Sequence, residues 1–183
     1  HITSVFVLDT DAELFHPDFK SQERLGQLLT QVAGRGGRGI SSSEIFLQTY
    51  YPNHPLLEKL TNGNYKEFLQ EIGKEREITS MPPFSFITLI RANSVNEKNV
   101  INFLNLVKKM VELVEPQSPQ NQYLGPIPSM LEKRAGRYRY NFQIKTHTRS
   151  KMHILLTKLI EQLSKTKSFS NVRWSIDVDP IEL

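Results

Sequence analysis

The chain has 183 residues, 38% hydrophobic and 23% charged, which is the balance of a folded domain rather than of a disordered segment. It has no cysteine, which excludes disulfides and cysteine-based metal sites, and no apolar run approaches the roughly 20 residues of a membrane span. The net charge of +4 is uneven: residues 1–80 carry 8 basic and 11 acidic side chains, and residues 81–183 carry 15 and 8. This asymmetry favours a nucleic-acid or acidic partner for the second half.

The first half alternates short strands and helices. Residues 2–8 are β-branched and apolar, which predicts a buried strand ending at Asp9 and Asp11, at the sheet edge where α/β proteins bind ligands. The pattern further predicts a helix, a strand and a helix at residues 18–33, 45–49 and 65–78. These are too few strands to close a sheet. We therefore expect residues 1–80 to be the end of a larger α/β domain, and the chain to be cut from a longer polypeptide.

Pro82 and Pro83 mark the predicted domain boundary, because two adjacent prolines stop a helix and force an extended backbone. The pattern beyond them has the order β-α-β-β-β-α-β. The predicted strands are 84–92, 123–127, 130–133, 138–146 and 172–178, and the predicted helices are 96–114 and 150–164. This order implies a small α+β domain over residues 81–183, with two helices on one sheet, which also suits a ribosomal-protein-type fold.

A basic stretch without acids lies inside this second domain, at Lys133, Arg134, Arg137, Arg139, Lys145, Arg149 and Lys151. Ala135-Gly136 predicts a hairpin turn that gathers the first four cations into a DNA-binding arm. The predicted DNA contacts are Lys133, Arg134, Arg137, Tyr138, Arg139 and Tyr140. The two tyrosines either stack on unpaired bases or face the core. Arg149 and Lys151 begin the following helix, where the positive end of the dipole favours carboxylates, so we expect them to bind an acidic peptide.

Residues near the chain end allow several interpretations. Trp174 alternates with Val172 and Ile176, which predicts a core position. Asp177 and Asp179 are either surface carboxylates or partners of the basic hairpin. The five histidines show no metal-ligand spacing, so no metal site is predicted.

The motif that carries chemistry runs from Gln31 to Arg38 and fits Q-x-x-G-R-x-G-R. Arg35 and Arg38 lie three residues apart, at the end of a helix and in a glycine-rich loop, where two guanidiniums can hold one polyphosphate. Gly34 and Gly37 allow close backbone approach. An arginine so placed can stabilise the transition state of phosphoryl transfer, which makes Arg35 and Arg38 the candidate catalytic residues.

This motif is similar to motif VI of superfamily 2 helicases, and the chain as a whole resembles the PriA family, the primosomal N′ proteins that restart stalled bacterial replication forks. The resemblance is carried by residues 9–11, 17–24, 27–35, 48–49, 54–55, 76, 82–84, 124–126, 133–140 and 174–180. It therefore covers nearly the whole chain. Lys20 and Gly36 stand where the family more often has Arg and Ala.

The resemblance implies an ATP-driven 3′-to-5′ DNA helicase. Residues 1–80 would be an α/β remnant of its RecA-like second motor lobe, and residues 81–183 its C-terminal α+β domain. Gln31, Gly34, Gly37, Asp9 and Asp11 would lie at the site of ATP and Mg²⁺. The family's zinc-binding cysteines would lie upstream. The implied partners are branched and single-stranded DNA, the acidic tail of single-stranded DNA-binding protein and other primosome proteins, for a monomer in the bacterial cytoplasm at the nucleoid.

Two catalytic motifs are absent from the sequence. It contains no G-x-x-x-x-G-K-[ST] phosphate loop and no D-E-x-H magnesium motif. We therefore expect this chain to carry half of an ATP site and to be inactive alone.

Two alternative functions remain open. A non-enzymatic RNA- or protein-binding module would fit the second half, but it needs no arginine pair behind Gln31. A nucleotide-dependent metabolic enzyme is disfavoured, because the phosphate loop is missing. The longer gene discriminates these hypotheses, since an upstream phosphate loop and D-E-x-H motif would identify the helicase.

Overall fold

The computed structural model describes residues 4–36, 44–166 and 169–182. The chain divides into two compact units, the first ending at Met81 and the second running from Pro82 to Ile181. The division falls at the proline pair. Within the described ranges, no helix is long and apolar enough to cross a membrane.

The first unit contains two strands and four helices. They are β1 (Ser4–Val7), α1 (Thr10–Leu14), α2 (Ser21–Gly36), β2 (Glu44–Leu47), α3 (Pro55–Thr61) and α4 (Tyr65–Ile78). β1 and β2 pair in parallel. The four helices surround a small core, with Leu14, Leu25, Leu57, Phe68 and Ile72 buried. The α4 prediction is confirmed to the residue.

Two short helices were not predicted. α1 has only five residues and follows Asp9, whose backbone is in the left-handed region at φ 53°. α3 begins at Pro55, where a proline costs no helical hydrogen bond, and His54 Nδ1 accepts a hydrogen bond from the Leu56 amide at 3.3 Å. Both helices are too short for an apolar period to reveal them.

Charged residues lock α2 against its neighbours in the first unit. The Asp18 side chain is only 4% exposed and accepts a hydrogen bond from Arg24 at 2.8 Å. Arg76 of α4 donates to Glu23 at 2.8 Å and to the Phe19 carbonyl at 3.0 Å. Because the Asp18 side chain is largely buried, losing Arg24 would leave its carboxylate short of a partner. Several residues that carry the family resemblance therefore act in folding.

The second unit contains four strands and two helices. They are β3 (Phe86–Ser94), α5 (Glu97–Val114), β4 (Asn121–Arg134), β5 (Arg137–Thr146), α6 (Arg149–Lys165) and β6 (Arg173–Val178). The sheet order is β4-β5-β3-β6, with every neighbouring pair antiparallel. This is the ferredoxin-like, split β-α-β arrangement. The mixed α/β character of the fold class is confirmed.

The predicted order with three consecutive central strands is wrong. The expected strands at 123–127 and 130–133 are one strand, β4, whose register against β5 shifts twice. Pro126 and Pro128 both lie within β4. It is an edge strand, where a residue without an amide proton is tolerated, and irregular pairing absorbs the extra residues.

Both helices pack on one face of this sheet. Val100, Phe103 and Val107 of α5 and Leu155 and Leu159 of α6 share a core with the inward side chains of the strands, which are Ile90, Ala92, Tyr123, Tyr140, Phe142 and Ile144. Trp174 is not the core residue that its spacing predicted. Its ring stacks on Phe103 with centroids 6.0 Å apart, yet 41% of the residue stays exposed, because β6 is the other edge strand.

The second unit is expected to fold alone, and the first is not. The second has a complete four-stranded sheet, whereas the described part of the first pairs two strands and leaves Phe6 and Phe46 66% and 45% exposed. Limited proteolysis should cleave near Met81 and leave a stable C-terminal piece. Phe142→Ala should abolish that resistance, since truncating a fully buried Phe costs about 3–5 kcal/mol, while Lys158→Ala serves as the exposed control. A resistant piece ending near residue 80 would contradict this expectation.

Candidate nucleotide and nucleic-acid sites

The arginine motif follows the end of α2. Gln31 and Gly34 are exposed on that helix, and the helical backbone continues through Arg35 to Gly36. The helix therefore ends later than the sequence predicted, and the backbone of Arg35 stands in its last turn. The side chain of Arg35 lies outside the described part of the chain, as do Gly37 and Arg38, so their roles stay predictions.

The acidic residues beside β1 differ from each other. Both oxygens of Asp11 are engaged: Oδ1 accepts from the Thr49 hydroxyl, and Oδ2 accepts from the Tyr50 amide at 2.8 Å. Asp11 thus ties α1 to the segment after β2, and its predicted cofactor contact stays a prediction. Asp9 is exposed. Its amide donates to the Gln48 side chain at 3.3 Å and its carbonyl accepts from the Ala12 amide at 3.2 Å, while its carboxylate makes no hydrogen bond in the described part of the chain.

The described residues meet part of what a nucleotide needs. The exposed amide of Gln31 and the open space around Gly34, where an added Cβ would meet no atom within 4 Å, leave room for a ligand. The exposed carboxylate of Asp9 is of the type that a hard cation prefers. Within the described ranges, no cluster of three or more His, Asp or Glu residues could hold a metal ion.

The basic hairpin in the second unit has the predicted turn. Arg134 pairs with Arg137 across a two-residue connection, in which Ala135 and Gly136 have φ of 49° and 73°. Positive φ at both positions is the primed turn that matches the twist of a hairpin. The turn therefore brings Arg134 and Arg137 side by side at the tip.

The side chains of the hairpin divide between the two faces of the sheet. Residues directly opposite each other share a face, so Arg134 and Arg137 point to one side, and Arg139 follows two positions on. Neither α5 nor α6 packs on this side, and we call it the helix-free face. Lys133 pairs with Tyr138 and lies on the other side, so the four cations do not form one arm.

The two tyrosines of the hairpin are both engaged. The Tyr140 ring is only 7% exposed in the core, and its hydroxyl donates to Glu97 and lies 3.3 Å from Glu132. The hydrogen bond to Glu97, with burial, raises the pKa of Tyr140 well above its usual range. The predicted stacking of Tyr140 on a base is therefore wrong, because no face of its ring is free. The Tyr138 ring is half-buried, with the Lys133 ammonium 4.5 Å from its centroid.

The cations of the helix-free face differ in how firmly they are held. Arg137 donates to the Asn93 side chain at 2.6 Å and to its carbonyl at 3.2 Å. Within the described ranges, Arg134 and Arg139 make no hydrogen bond or ion pair with another side chain. Lys145 lies on the same face of β5, and burial lowers its pKa. Arg137 is thus held in place, while the guanidiniums of Arg134 and Arg139 are available to a ligand.

A small pocket surrounds the start of α6. It has a volume of about 210 Å³ and is lined by Phe86, Arg149, Met152, His153, Leu156, Val178 and Asp179. The Arg149 side chain is 75% exposed, lies over the Phe86 ring at 5.2 Å and forms an ion pair with Asp179 at 3.4 Å. Lys151 instead pairs with Glu115 at 3.1 Å. Of the two predicted peptide contacts, Arg149 is the one that lines a cavity.

The carboxylates near the chain end also find partners away from the hairpin tip. Asp177 accepts from Arg91 on the neighbouring strand at 3.0 Å, and Asp179 pairs with Arg149. Of the two alternatives that the sequence left open, both residues are surface carboxylates and not partners of the basic hairpin.

Comparison with known proteins identifies the family. The model of the "Primosomal protein N C-terminal domain" matches residues 77–181. The chain belongs to the PriA family. It is 36% identical over its full length to the replication restart protein PriA of Haemophilus influenzae, 34% to that of Synechocystis over the full length, and 31% to that of Bacillus subtilis over 98%. It covers 24%, 21% and 22% of these relatives, so the chain spans about a quarter of their length.

Sequence reasoning missed part of the polar surface of this PriA-family domain. Arg91 and Asn93 on β3 and Arg173 on β6 lie beside the hairpin arginines on the helix-free face. Each alternates with an inward-facing neighbour, and that period-two pattern was the available signal. The pattern could not show which residues of different strands lie side by side, because the pairing register between β3, β5 and β6 is set by the tertiary fold.

Proposed function

We propose that this chain is the C-terminal part of a replication-restart DNA helicase of superfamily 2, and that it supplies half of an ATP site and a DNA-binding domain. The observation that carries the proposal is the similarity to replication restart proteins across the whole chain, which includes the arginine motif as well as the C-terminal domain. The chain alone is inactive, because it has no phosphate loop and no D-E-x-H motif.

The first unit belongs to a RecA-like motor lobe. Its parallel β1–β2 pair flanked by helices is a piece of such a sheet. When ATP and Mg²⁺ are bound, they supply the phosphoryl group and neutralise its charge. Arg35 and Arg38 bind and orient the terminal phosphate through their planar, permanently charged guanidiniums. Gln31, exposed one turn before Arg35, either senses ATP or couples this site to DNA.

The second unit binds branched and single-stranded DNA through the hairpin. The support is the pairing of Arg134 with Arg137 at the turn and the free guanidinium of Arg139. Phosphate contacts of this kind carry no sequence information, which suits a protein that recognises the structure of a fork in the bacterial cytoplasm.

The pocket at the start of α6 binds an acidic peptide, and the tail of single-stranded DNA-binding protein is the proposed partner. Arg149 supplies the cation, Phe86, Met152 and Leu156 supply an apolar wall, and no acid stands in the first turn of α6. Asp179 opposes this binding, because it already neutralises Arg149. Lys151 is the weaker contact, since Glu115 holds it.

Two opposite substitutions test the peptide site. Arg149→Ala should weaken binding of an acidic, apolar-ended peptide about tenfold, whereas Asp179→Asn should strengthen it, because the cation is released. Lys158→Ala, on an exposed position of α6, is the matched control. The measurement is a fluorescence-anisotropy titration with the labelled peptide. Equal affinities for the Arg149 and Lys158 variants would contradict the assignment.

The proposed 3′-to-5′ direction of unwinding has its own test in the longer protein that contains this chain. Unwinding of a short duplex should require ATP and a 3′ single-stranded tail. A longer protein that lacks the phosphate loop and hydrolyses no ATP would refute the helicase proposal. It would leave the second candidate, a non-enzymatic nucleic-acid-binding module, which the helix-free basic face of the ferredoxin-like sheet favours.

A further inference from the structure

The helix-free face carries arginines from three strands. Asn93 on the central strand β3 stands opposite Arg139 of β5 on one side and opposite Arg173 of β6 on the other. Directly opposed residues share a face, so all three side chains point away from the helices. The next residue on β6, Trp174, stacks on Phe103 of α5, which confirms that Arg173 faces the other way.

The net charge of this surface is positive, and some of its arginines have no side-chain partner within the described residues. Its arginines are Arg91, Arg134, Arg137, Arg139 and Arg173. Asp177 is the carboxylate among their strand neighbours, and it pairs with Arg91 at 3.0 Å. In the described part of the chain, the side chains of Arg139 and Arg173 form no hydrogen bond or ion pair, and Arg173 is exposed. Two free guanidiniums therefore flank an asparagine that Arg137 holds in place at 2.6 Å.

The basic surface occupies only one end of the face. Toward the other end of β3, Ile87 and Leu89 point to the same side and are buried, at 1% and 2% exposure. The polar end adds Asn141, which stands opposite Arg91. No aromatic side chain of β3 or β5 points to this face, since the rings of Phe86, Tyr138, Tyr140 and Phe142 occupy the alternate positions. Its chemistry suits phosphates and offers no base stacking.

The spacing lets two arginines reach different phosphates of one strand. Neighbouring strands of a sheet lie about 4.8 Å apart, so the backbones of β5 and β6 are separated by roughly 10 Å across β3. Two arginines at that separation can contact phosphates on either side of Asn93. The row runs across the strands, from the hairpin tip at Arg134 to the edge of the sheet at Arg173.

We propose that a single DNA strand crosses the helix-free face from the hairpin to β6, with its phosphates held by Arg139 and Arg173. The proposal rests on the DNA-binding role given above, and it adds a contact that lies outside the hairpin, on an edge strand 34 residues further along the chain. The occupant is assigned by charge. The surface is cationic, β3 and β5 contribute no aromatic side chain to it, and it is exposed at the sheet edge, at Arg173. A flexible single strand can follow a flat sheet, whereas a rigid duplex would meet it at one backbone only.

The test compares three charge-removing variants of the full 183-residue chain. Arg173→Gln and Arg139→Gln remove the proposed contacts, and Lys158→Gln removes an equal charge from the helical side. The probe is a labelled 15-nucleotide oligothymidylate, titrated across a salt series, with a blunt duplex of equal length in parallel. Arg173→Gln should weaken strand binding up to about fivefold and flatten the log-affinity against log-salt slope by about 0.7. Arg173→Lys should restore most of the slope. Thermal melting checks that each variant is folded.

The outcomes separate this inference from the function on which it rests. If Arg139→Gln weakens binding and Arg173→Gln equals Lys158→Gln, the strand does not cross to β6 and the inference is overturned, while DNA binding by the hairpin stands. If all three variants bind like the parent chain, the proposed DNA role of the hairpin fails as well. If the variants lost equal affinity for the duplex and for the single strand, the single-strand assignment would be overturned.

Discussion

Arg38→Ala, in the longer protein that contains this chain, is expected to slow DNA-stimulated ATP hydrolysis by about 10³-fold. The reason is that charge develops on the transferred phosphoryl oxygens in the transition state, and an arginine finger that stabilises this charge contributes about 10³–10⁵ in rate. Arg38→Lys should recover little, because an ammonium lacks the planar fork that binds two oxygens. The measurement is steady-state phosphate release at saturating ATP and DNA.

Lys66→Ala is the control for this experiment, since Lys66 is an exposed cation on α4 in the same unit. DNA affinity in the absence of nucleotide should be the same in both variants. Normal turnover in the Arg38 variant would refute the assignment of the motif.

The triple variant Arg134→Gln, Arg137→Gln, Arg139→Gln should lose most of its affinity for a forked DNA. Three phosphate contacts account for a log-affinity against log-salt slope of roughly −2 to −3, and that part of the slope should vanish with them. Arg137 also anchors Asn93 at 2.6 Å, so a melting curve must accompany the binding curve. The measurement is an anisotropy titration with the 183-residue chain at several salt concentrations.

A second triple variant controls for net charge. Lys109, Lys158 and Lys165 are exposed on α5 and α6, and replacing all three with Gln removes the same charge from the helical side. Long-range attraction would weaken equally in both triple variants, whereas direct contact weakens only the hairpin variant. Equal behaviour of the two would mean that the hairpin is not the DNA site.

Much of the fold followed from periodicity. The apolar spacing of α5, with Val100, Phe103, Leu104, Val107 and Val111 inward, predicted both the helix and its buried face. The turn at Ala135-Gly136, between two strand-like runs, was also predicted. Such local signals do not depend on the rest of the chain.

The errors arose where tertiary context decides. Two strands, 123–127 and 130–133, were predicted where the structure has the single strand β4. The gap between them contains Pro128, which is acceptable within a strand only because β4 lies at the sheet edge. The surroundings of Tyr140 could not be predicted either, because Glu97 and Glu132, which contact its hydroxyl, come from two other elements. Arg173 was overlooked as a site residue for the same reason: its neighbours Asn93 and Arg139 are 80 and 34 residues away in the sequence.

The central claim is that the two units divide the work, with the first acting on ATP and the second on DNA. One titration tests it directly, the rate of ATP hydrolysis by the longer protein against the concentration of forked DNA. Arg38→Ala should lower the plateau and leave the half-saturating DNA concentration in place. The hairpin triple variant should raise the half-saturating concentration at least tenfold and reach nearly the parent plateau. A hairpin variant that lowers the plateau with unchanged half-saturation, or a parent protein whose hydrolysis does not respond to DNA, would contradict the account.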